Sequence, residues 1–336
     1  MEAYASGRKE GGIPMNQETR QQLKTVDLSA YNAEITRFEE RLRLRNLARS
    51  TFVNYLACLK IFLAWCVLTL SSKPADRISY DDFRTFLHFL NSGDMEPRTI
   101  NVYIATLKQF RYLVQGEGWN RYEIQFLRYD QTLPKVPSPQ QAQAIIQGSR
   151  LCNLRTHLLV CLLLSTGIRI SEACALTYGD LIRDKLLIHI RPGKGRSDRY
   201  VPLLAELLKM LEAYCRETIQ ACQKAGLSGL NKDSVIFRMN DGITPANANF
   251  LRRDFAKALN NAFSVQEHFT PHSCRHYFAL QIYLQKKDLI LVKELLGHRF
   301  LNATEVYLRL AAAQGLIQDG YTNPLLLCLE QREQHE

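Results

Sequence analysis

Apolar residues recur every three or four positions through the first 130 residues of this chain, at Leu47, Val53, Leu56, Leu59, Phe62 and Leu63 and again at Ile100, Tyr103, Ile104, Leu107 and Phe110. That period lays them on one face of an α-helix, so this part is expected to be all-helical. Two of its helices resemble each other. Ser50 to Phe62 can be laid over Arg98 to Phe110 with Thr, Tyr, Ala, Leu, Lys and Phe coinciding. Residues 1–27, rich in Gly, Glu, Gln and Lys with little apolar period, read as a mobile extension. Pro134, Pro137 and Pro139 break the pattern, because closely spaced prolines favour extended backbone, and they place a linker at 132–140. Beyond it, Pro139 to Ile146 reads as a capped helix start and Arg155 to Ser165 as a buried helix ending at Gly167. Leu186 to Arg191 and Tyr200 to Leu203 read as strands of a hairpin around a Gly/Lys/Ser/Asp turn. The expected fold is mainly α with a small antiparallel sheet (α+β), in two domains at 28–131 and 141–321, followed by a tail at 322–336.

Composition narrows the partner. The formal net charge of +10 over 336 residues favours a polyanion, although charge alone does not separate DNA from RNA or an anionic membrane. The nine cysteines are scattered singly with no CxxC pair, which argues against a disulfide framework or zinc cluster and for a reducing cytosol. Purely apolar runs such as Leu158 to Leu164 are far too short to span a bilayer, so a soluble protein with no membrane partner is expected.

The candidate chemistry lies in the second half. Thr270 can cap a helix with Pro271 in its first turn, which puts His272, Arg275 and His276 at i, i+3 and i+4 on one face. Leu295-Leu296-Gly297-His298 follows, where Gly297 suits a left-handed helix end and leaves the His298 ring free to project. Asn302 and Glu305 form a capping-box-like start to a helix carrying Tyr307, nine residues past His298. Upstream, Arg169 and Glu172 stand in Ser165-Thr166-Gly167-Ile168-Arg169-Ile170-Ser171-Glu172, and Lys194 stands at the hairpin tip in Pro192-Gly193-Lys194-Gly195-Arg196. A zinc site from His268, His272 and His276 is the competing idea, but Pro271 breaks its register, and no metal is expected.

In order, spacing and local sequence, these motifs resemble the active site of the tyrosine recombinases (phage integrases and Xer-type recombinases), from about residue 30 to about residue 315. Cys274, where leucine is often seen, is a small apolar exchange. The resemblance implies a two-domain DNA clamp, with an all-helical core-binding domain and a catalytic domain. Tyr307 would attack a DNA phosphodiester to give a 3′-phosphotyrosyl link and a free 5′-hydroxyl. Arg169 and Arg275 would stabilise the charge that develops on the non-bridging oxygens, and His298 would donate to one of them. His272 would serve as base, because an unperturbed phenol has a pKa near 10. Lys194 would protonate the departing 5′-oxygen, or alternatively only touch phosphate. Glu172 would orient the cationic groups and His276 would support the site.

DNA contacts are expected from Arg41, Arg43, Arg45 and Arg49, from Ser50, Thr51, Arg98 and Thr99 at the starts of the two similar helices, and from Arg196 and Arg199. Drift of two core helices toward similar residues is the plainer account of their likeness. No cofactor is expected, since the covalent link conserves the phosphodiester energy. The expected partners are duplex DNA with paired inverted half-sites and three further copies in a synapsed homotetramer, with an accessory DNA-bending or directionality protein as a further candidate. The tail would dock on a neighbouring protomer. The reaction would serve integration, excision or transposition of a mobile element, or resolution of DNA multimers, in the cytoplasm at the nucleoid. A type IB topoisomerase-like enzyme and a non-catalytic DNA-binding accessory factor are the alternative functions.

Overall fold

Local sequence sets most of the helix ends. The structure is a computed structural model that describes residues 15–45, 47–93, 95–116, 124–130, 132–191, 198–227, 229–265 and 267–313. Lys194, Arg196 and the tail from 314 onward, with the roles expected of them, lie outside the described residues. The chain separates into two compact units, Met1–Gln131 and Thr132–Glu336.

In the first unit, α1 (Gln17–Leu23), α2 (Asn32–Leu44), α3 (Arg49–Thr69), α4 (Tyr80–Asn91) and α5 (Pro97–Gln115) enclose one core. The apolar period holds where it faces that core: Leu59, Phe62, Leu107 and Phe110 are fully buried, and the Phe62 and Phe110 rings meet edge-on at 6.2 Å. These are the positions the two similar helices share, so packing accounts for much of their likeness. Val53, counted in the same stripe, is 52% exposed. At 21 residues α3 is long and apolar enough to cross a membrane by composition, yet Leu59, Phe62, Leu63 and Cys66 are closed into the helical core.

One expectation is corrected here. The extension does not run to residue 27 as irregular chain, because Asn16 caps α1 by accepting from the Thr19 amide at 2.8 Å, and Met15 and Leu23 are buried in the core. A helix this short is not stable alone. Two anchors eight residues apart leave no period to read, and tertiary contact holds the helix. A Cβ on Gly93 would come within 2.3 Å of the Met15 carbonyl oxygen, so the segment lies directly against the backbone there. Arg41 and Arg43, expected to contact DNA, stand near the end of α2, ahead of α3. Arg41 lies over the Tyr112 ring at 4.7 Å, Arg43 pairs with Glu39 at 3.7 Å, and Arg45 donates to Gln109 at 2.6 Å.

The second unit comprises α6 (Pro139–Arg150), α7 (Leu154–Thr166), α8 (Ile170–Ala175), a sheet, α9 (Ala205–Lys224), α10 (Ala248–Ala262), α11 (Pro271–Lys286), α12 (Leu289–Leu296) and α13 (Val306–Ala313). Apolar nearly all round, α7 is the central element, with α6, α9, α10 and α11 packed on it. Strands β1 (Leu181–Ile182), β2 (Leu187–Ile190) and β3 (Arg199–Pro202) form an antiparallel sheet in that order, with Ile190 opposite Arg199. β1 was not anticipated; two residues carry no pattern. Arg155 and Asp254, both buried, are joined at 2.8 Å across α7 and α10, with Asn240 on the same guanidinium. A second cluster holds Phe278, Tyr283, Val292, Leu296, Tyr307 and Leu310. The helix bearing Tyr307 starts at Val306, after a 3₁₀ turn over Leu301–Ala303, and not at Asn302 as its capping pattern suggested.

Candidate active site

Chain ends of helices bring the site together. Gly167 closes α7 at φ +62°, and a Cβ there would meet Phe278 Cδ1 at 2.4 Å, so glycine alone lets the chain turn beside α11. Two residues on, Arg169 is the N-cap of α8, and Glu172 in its first turn reaches back to the Arg169 amide at 2.8 Å and to its guanidinium at 2.9 Å. On α11, Thr270 caps as expected and Pro271 takes the first position, which aims Arg275 inward. Arg275 donates to the Gly167 carbonyl at 2.7 Å and to the Leu296 carbonyl, which also receives Arg169 at 3.4 Å. Gly297, at φ +62°, ends α12 there.

Arg199 enters this group from the first residue of β3. Expected on the DNA-facing surface, it is 7% exposed: its guanidinium donates to both Glu172 oxygens at 2.7 and 3.1 Å and its Nε to the Leu295 carbonyl at 2.8 Å. The charge pattern of Gly-Lys-Gly-Arg-Ser-Asp-Arg does not distinguish an inward from an outward arginine, whereas its place opposite the buried Ile190 does. The carbonyls that α12 leaves unpaired at its C-terminus thus accept from three arginines, as its partial negative charge favours.

Positive charge is in excess, since three guanidiniums surround one carboxylate. Burial by itself would raise the Glu172 carboxyl, but the hydrogen bonds and charges of Arg199 and Arg169 outweigh it and hold it at about 2. Burial, with Arg169 alongside, lowers Arg275 to about 9, still charged at neutral pH. Burial and the Arg275 and Arg169 charges push His298 down to about 3. Its Nδ1 meets the Thr304 hydroxyl at 3.0 Å. When that hydroxyl donates, Nε2 carries the proton and can donate outward. Thr304 is fully buried and was not singled out in the sequence, where a threonine six residues past His298 gives no signal.

Tyr307 is 1% exposed, and its hydroxyl lies 3.1 Å from His276 Nδ1. The sequence nominated His272 for this phenol. On α11 the exposed His272 stands one turn earlier, its ring centre 6.4 Å from that of His276. Burial, then the nearby His272 and Arg275, lowers His276 to about 4, while burial raises Tyr307 to about 12 against the pull of Arg275 and Arg169. The two shifts act in the same direction, so in this resting pair the proton stays on the Tyr307 oxygen and the imidazole is neutral. The phenol is therefore neutral and unreactive as it stands.

Near the hairpin, Asp180 accepts from Thr177 at 2.8 Å and from Arg191 at 2.6 Å, fixing the strand that leads toward Lys194. Of the other expected DNA contacts, Arg49 and Ser50 are exposed in the first turn of α3, as is Arg98 in that of α5, while Thr51 and Thr99 are half-buried.

A family model described as the phage integrase family matches residues 136–314, and one described as the phage integrase N-terminal SAM-like domain matches residues 35–121. A putative integrase/recombinase y4qK of Sinorhizobium fredii is 29% identical over 82% of this chain and 83% of its own. The tyrosine recombinase XerC of Bacillus subtilis is 27% identical over 80% of this chain and 89% of its own. Among solved structures, the Tn1549 transposon integrase in complex with circular intermediate DNA shares the fold at a TM-score of 0.63, with 20% identity over 82% of this chain and 94% of that one.

Proposed function

The chain belongs to the phage integrase family of tyrosine recombinases, and we propose that it is a site-specific strand transferase that cleaves and rejoins duplex DNA through Tyr307. The observation that carries this reading is the excess of buried positive charge between Arg169, Arg275 and Arg199, beside a phenol and two neutral imidazoles. A phosphodiester supplies the missing negative charge, and the charge it gains on attack is best met by fixed guanidinium donors.

In the proposed reaction the Tyr307 oxygen bonds to phosphorus, the bond to the 5′-oxygen breaks, and the phenol's proton leaves to an imidazole. His276 holds that proton's position in the resting site, and the exposed His272 is the imidazole an arriving phosphate meets. Arg169 and Arg275 neutralise the non-bridging oxygens, with Nε2 of His298 donating to one. Lys194 protonates the departing 5′-oxygen, and Glu172 holds the arginines. Religation reverses these steps with a different 5′-hydroxyl. Tyr307 must leave its buried contact first, so DNA binding and exposure of the phenol are coupled.

Strand exchange between two sites requires four active tyrosines, so the assembled form is a homotetramer on paired half-sites. Its task is movement of a mobile element or resolution of DNA multimers, carried out on cytoplasmic DNA. The test is a nicked suicide substrate incubated with wild type and Tyr307→Phe. Wild type forms a covalent band on a denaturing gel and the variant, still binding DNA, forms none. A band of equal yield in the variant places the nucleophile elsewhere.

A further inference from the structure

The first unit carries a cleft of about 540 Å³ between α1, α3 and α5. Its rim holds Arg20 and Lys24, from α1 and its end, with Lys60 of α3 and Arg98 of α5, all exposed. No carboxylate lines it among the described residues. Its floor includes the buried Cys58 and Tyr103. The Tyr103 hydroxyl is buried, has no hydrogen-bond partner, and feels the charge of Arg20 across the cleft. Burial keeps that phenol neutral, at about 12, so it is available as a donor. A buried hydroxyl without a partner is destabilising, and four like charges around one cleft repel each other. An anion with hydrogen-bond acceptors that enters the cleft relieves the repulsion and brings an acceptor toward that hydroxyl.

We propose that α1 completes a phosphate-binding cleft in which Arg20, Lys24, Lys60 and Arg98 hold the DNA backbone above the Tyr103 hydroxyl. This rests on the reading of the protein as a DNA strand transferase and goes beyond it. α1 precedes the matched N-terminal domain at 35–121, so two of the four cations come from a segment outside it. Met15 and Leu23 fix α1 in the core, which makes the cations part of the fold and removes the cost of ordering a free arm. A backbone contact of this kind adds affinity without reading sequence.

The test measures equilibrium binding to a duplex half-site and to an unrelated duplex between 0.05 and 0.3 M salt, in the full-length Tyr307→Phe protein, so that binding is separated from cleavage. Roughly a tenfold loss is expected for Arg20→Gln with Lys24→Gln, alike on both duplexes, with the log–log salt slope shallower by about 2. Arg37→Gln with Arg77→Gln, exposed positions outside the cleft, measures the effect of lost surface charge alone and is expected to change affinity less than twofold. Tyr103→Phe should weaken binding several-fold while its melting temperature holds or rises, since only a hydroxyl without a partner is lost. Cleft variants that bind like the control pair, or more tightly than the parent, overturn the proposal, as does a Tyr103→Phe protein with unchanged affinity. Covalent trapping by the wild type is scored separately: a cleft that fails while trapping succeeds leaves the enzymatic reading intact, and the converse result removes that reading alone.

Discussion

Arg199 shows how one buried residue can hold a cluster of charges together. It closes both oxygens of Glu172, itself 10% exposed in its side chain, and a Leu295 carbonyl beside His298. Removing one partner of a buried pair strands the other, at about 3–5 kcal/mol. Arg199→Ala is therefore expected to lower the unfolding free energy by about that much, and Arg199→Lys by less, read by urea denaturation. Its cleavage rate should fall further than binding, and a methylphosphonate at the scissile position, which lacks the charge that Arg169 and Arg275 are proposed to neutralise, should narrow the deficit. An equal deficit on both substrates would reduce Arg199 to a folding role. Because Glu172 is held near 2, below its ordinary 4.5, its contribution of roughly 3 kcal/mol is present above about pH 4.5 and lost as pH falls toward 2. His298, held near 3, acts in the same direction: the unfolded imidazole takes a proton below about 6.5 that the folded one refuses, so stability falls with pH in that window. An NMR titration should find His298 neutral down to about pH 5 in the free protein and raised once a DNA phosphate adds negative charge. A midpoint near 6.5 without DNA would contradict the buried cationic site.

At the scale of elements, the site is a meeting of helix ends, and those ends are written locally. Ser138, Asn153, Asn247, Thr270 and Asp288 each cap the helix that follows, and Gly167 and Gly297 each end one. Gly167→Ala is expected to cost at least about 2 kcal/mol, from the left-handed backbone and from the contact with Phe278. It should also displace the carbonyl that holds Arg275 and so slow covalent trapping at matched folded concentration. Normal stability with normal trapping would show that the turn can relax. α1, whose seven residues include one apolar side chain, and the three-residue 3₁₀ turn before α13 escaped the pattern because neither repeats an apolar spacing that could be read.

The whole molecule is two units with separate cores, one around Phe62, Phe86 and Phe110 and one around α7. Residues 15–130 and 132–336, expressed separately, are each expected to unfold cooperatively in circular dichroism melts. Either one alone should bind duplex DNA at least roughly tenfold more weakly than the intact chain, with a shallower salt dependence, because the proposed phosphate contacts are divided between them. Loss of cooperative unfolding in the isolated second unit would make its core depend on the first. The excess of 43 basic over 33 acidic residues acts at this scale, drawing a polyanion without saying where it binds.

By itself the sequence determined the helical period, most helix ends and the residue types that gather in one site, because period, cap and glycine turn are interactions within a few residues. Its order of Arg169, Arg275, His298 and Tyr307 was enough to suggest the reaction. Only the tertiary structure decided which imidazole meets Tyr307, since residues 276 and 307 are brought together by the packing of α11 against α13. It also turned Arg199 inward, because strand register and not charge sets the direction of a side chain, and it fixed α1, whose two apolar anchors mean nothing until a core exists to receive them.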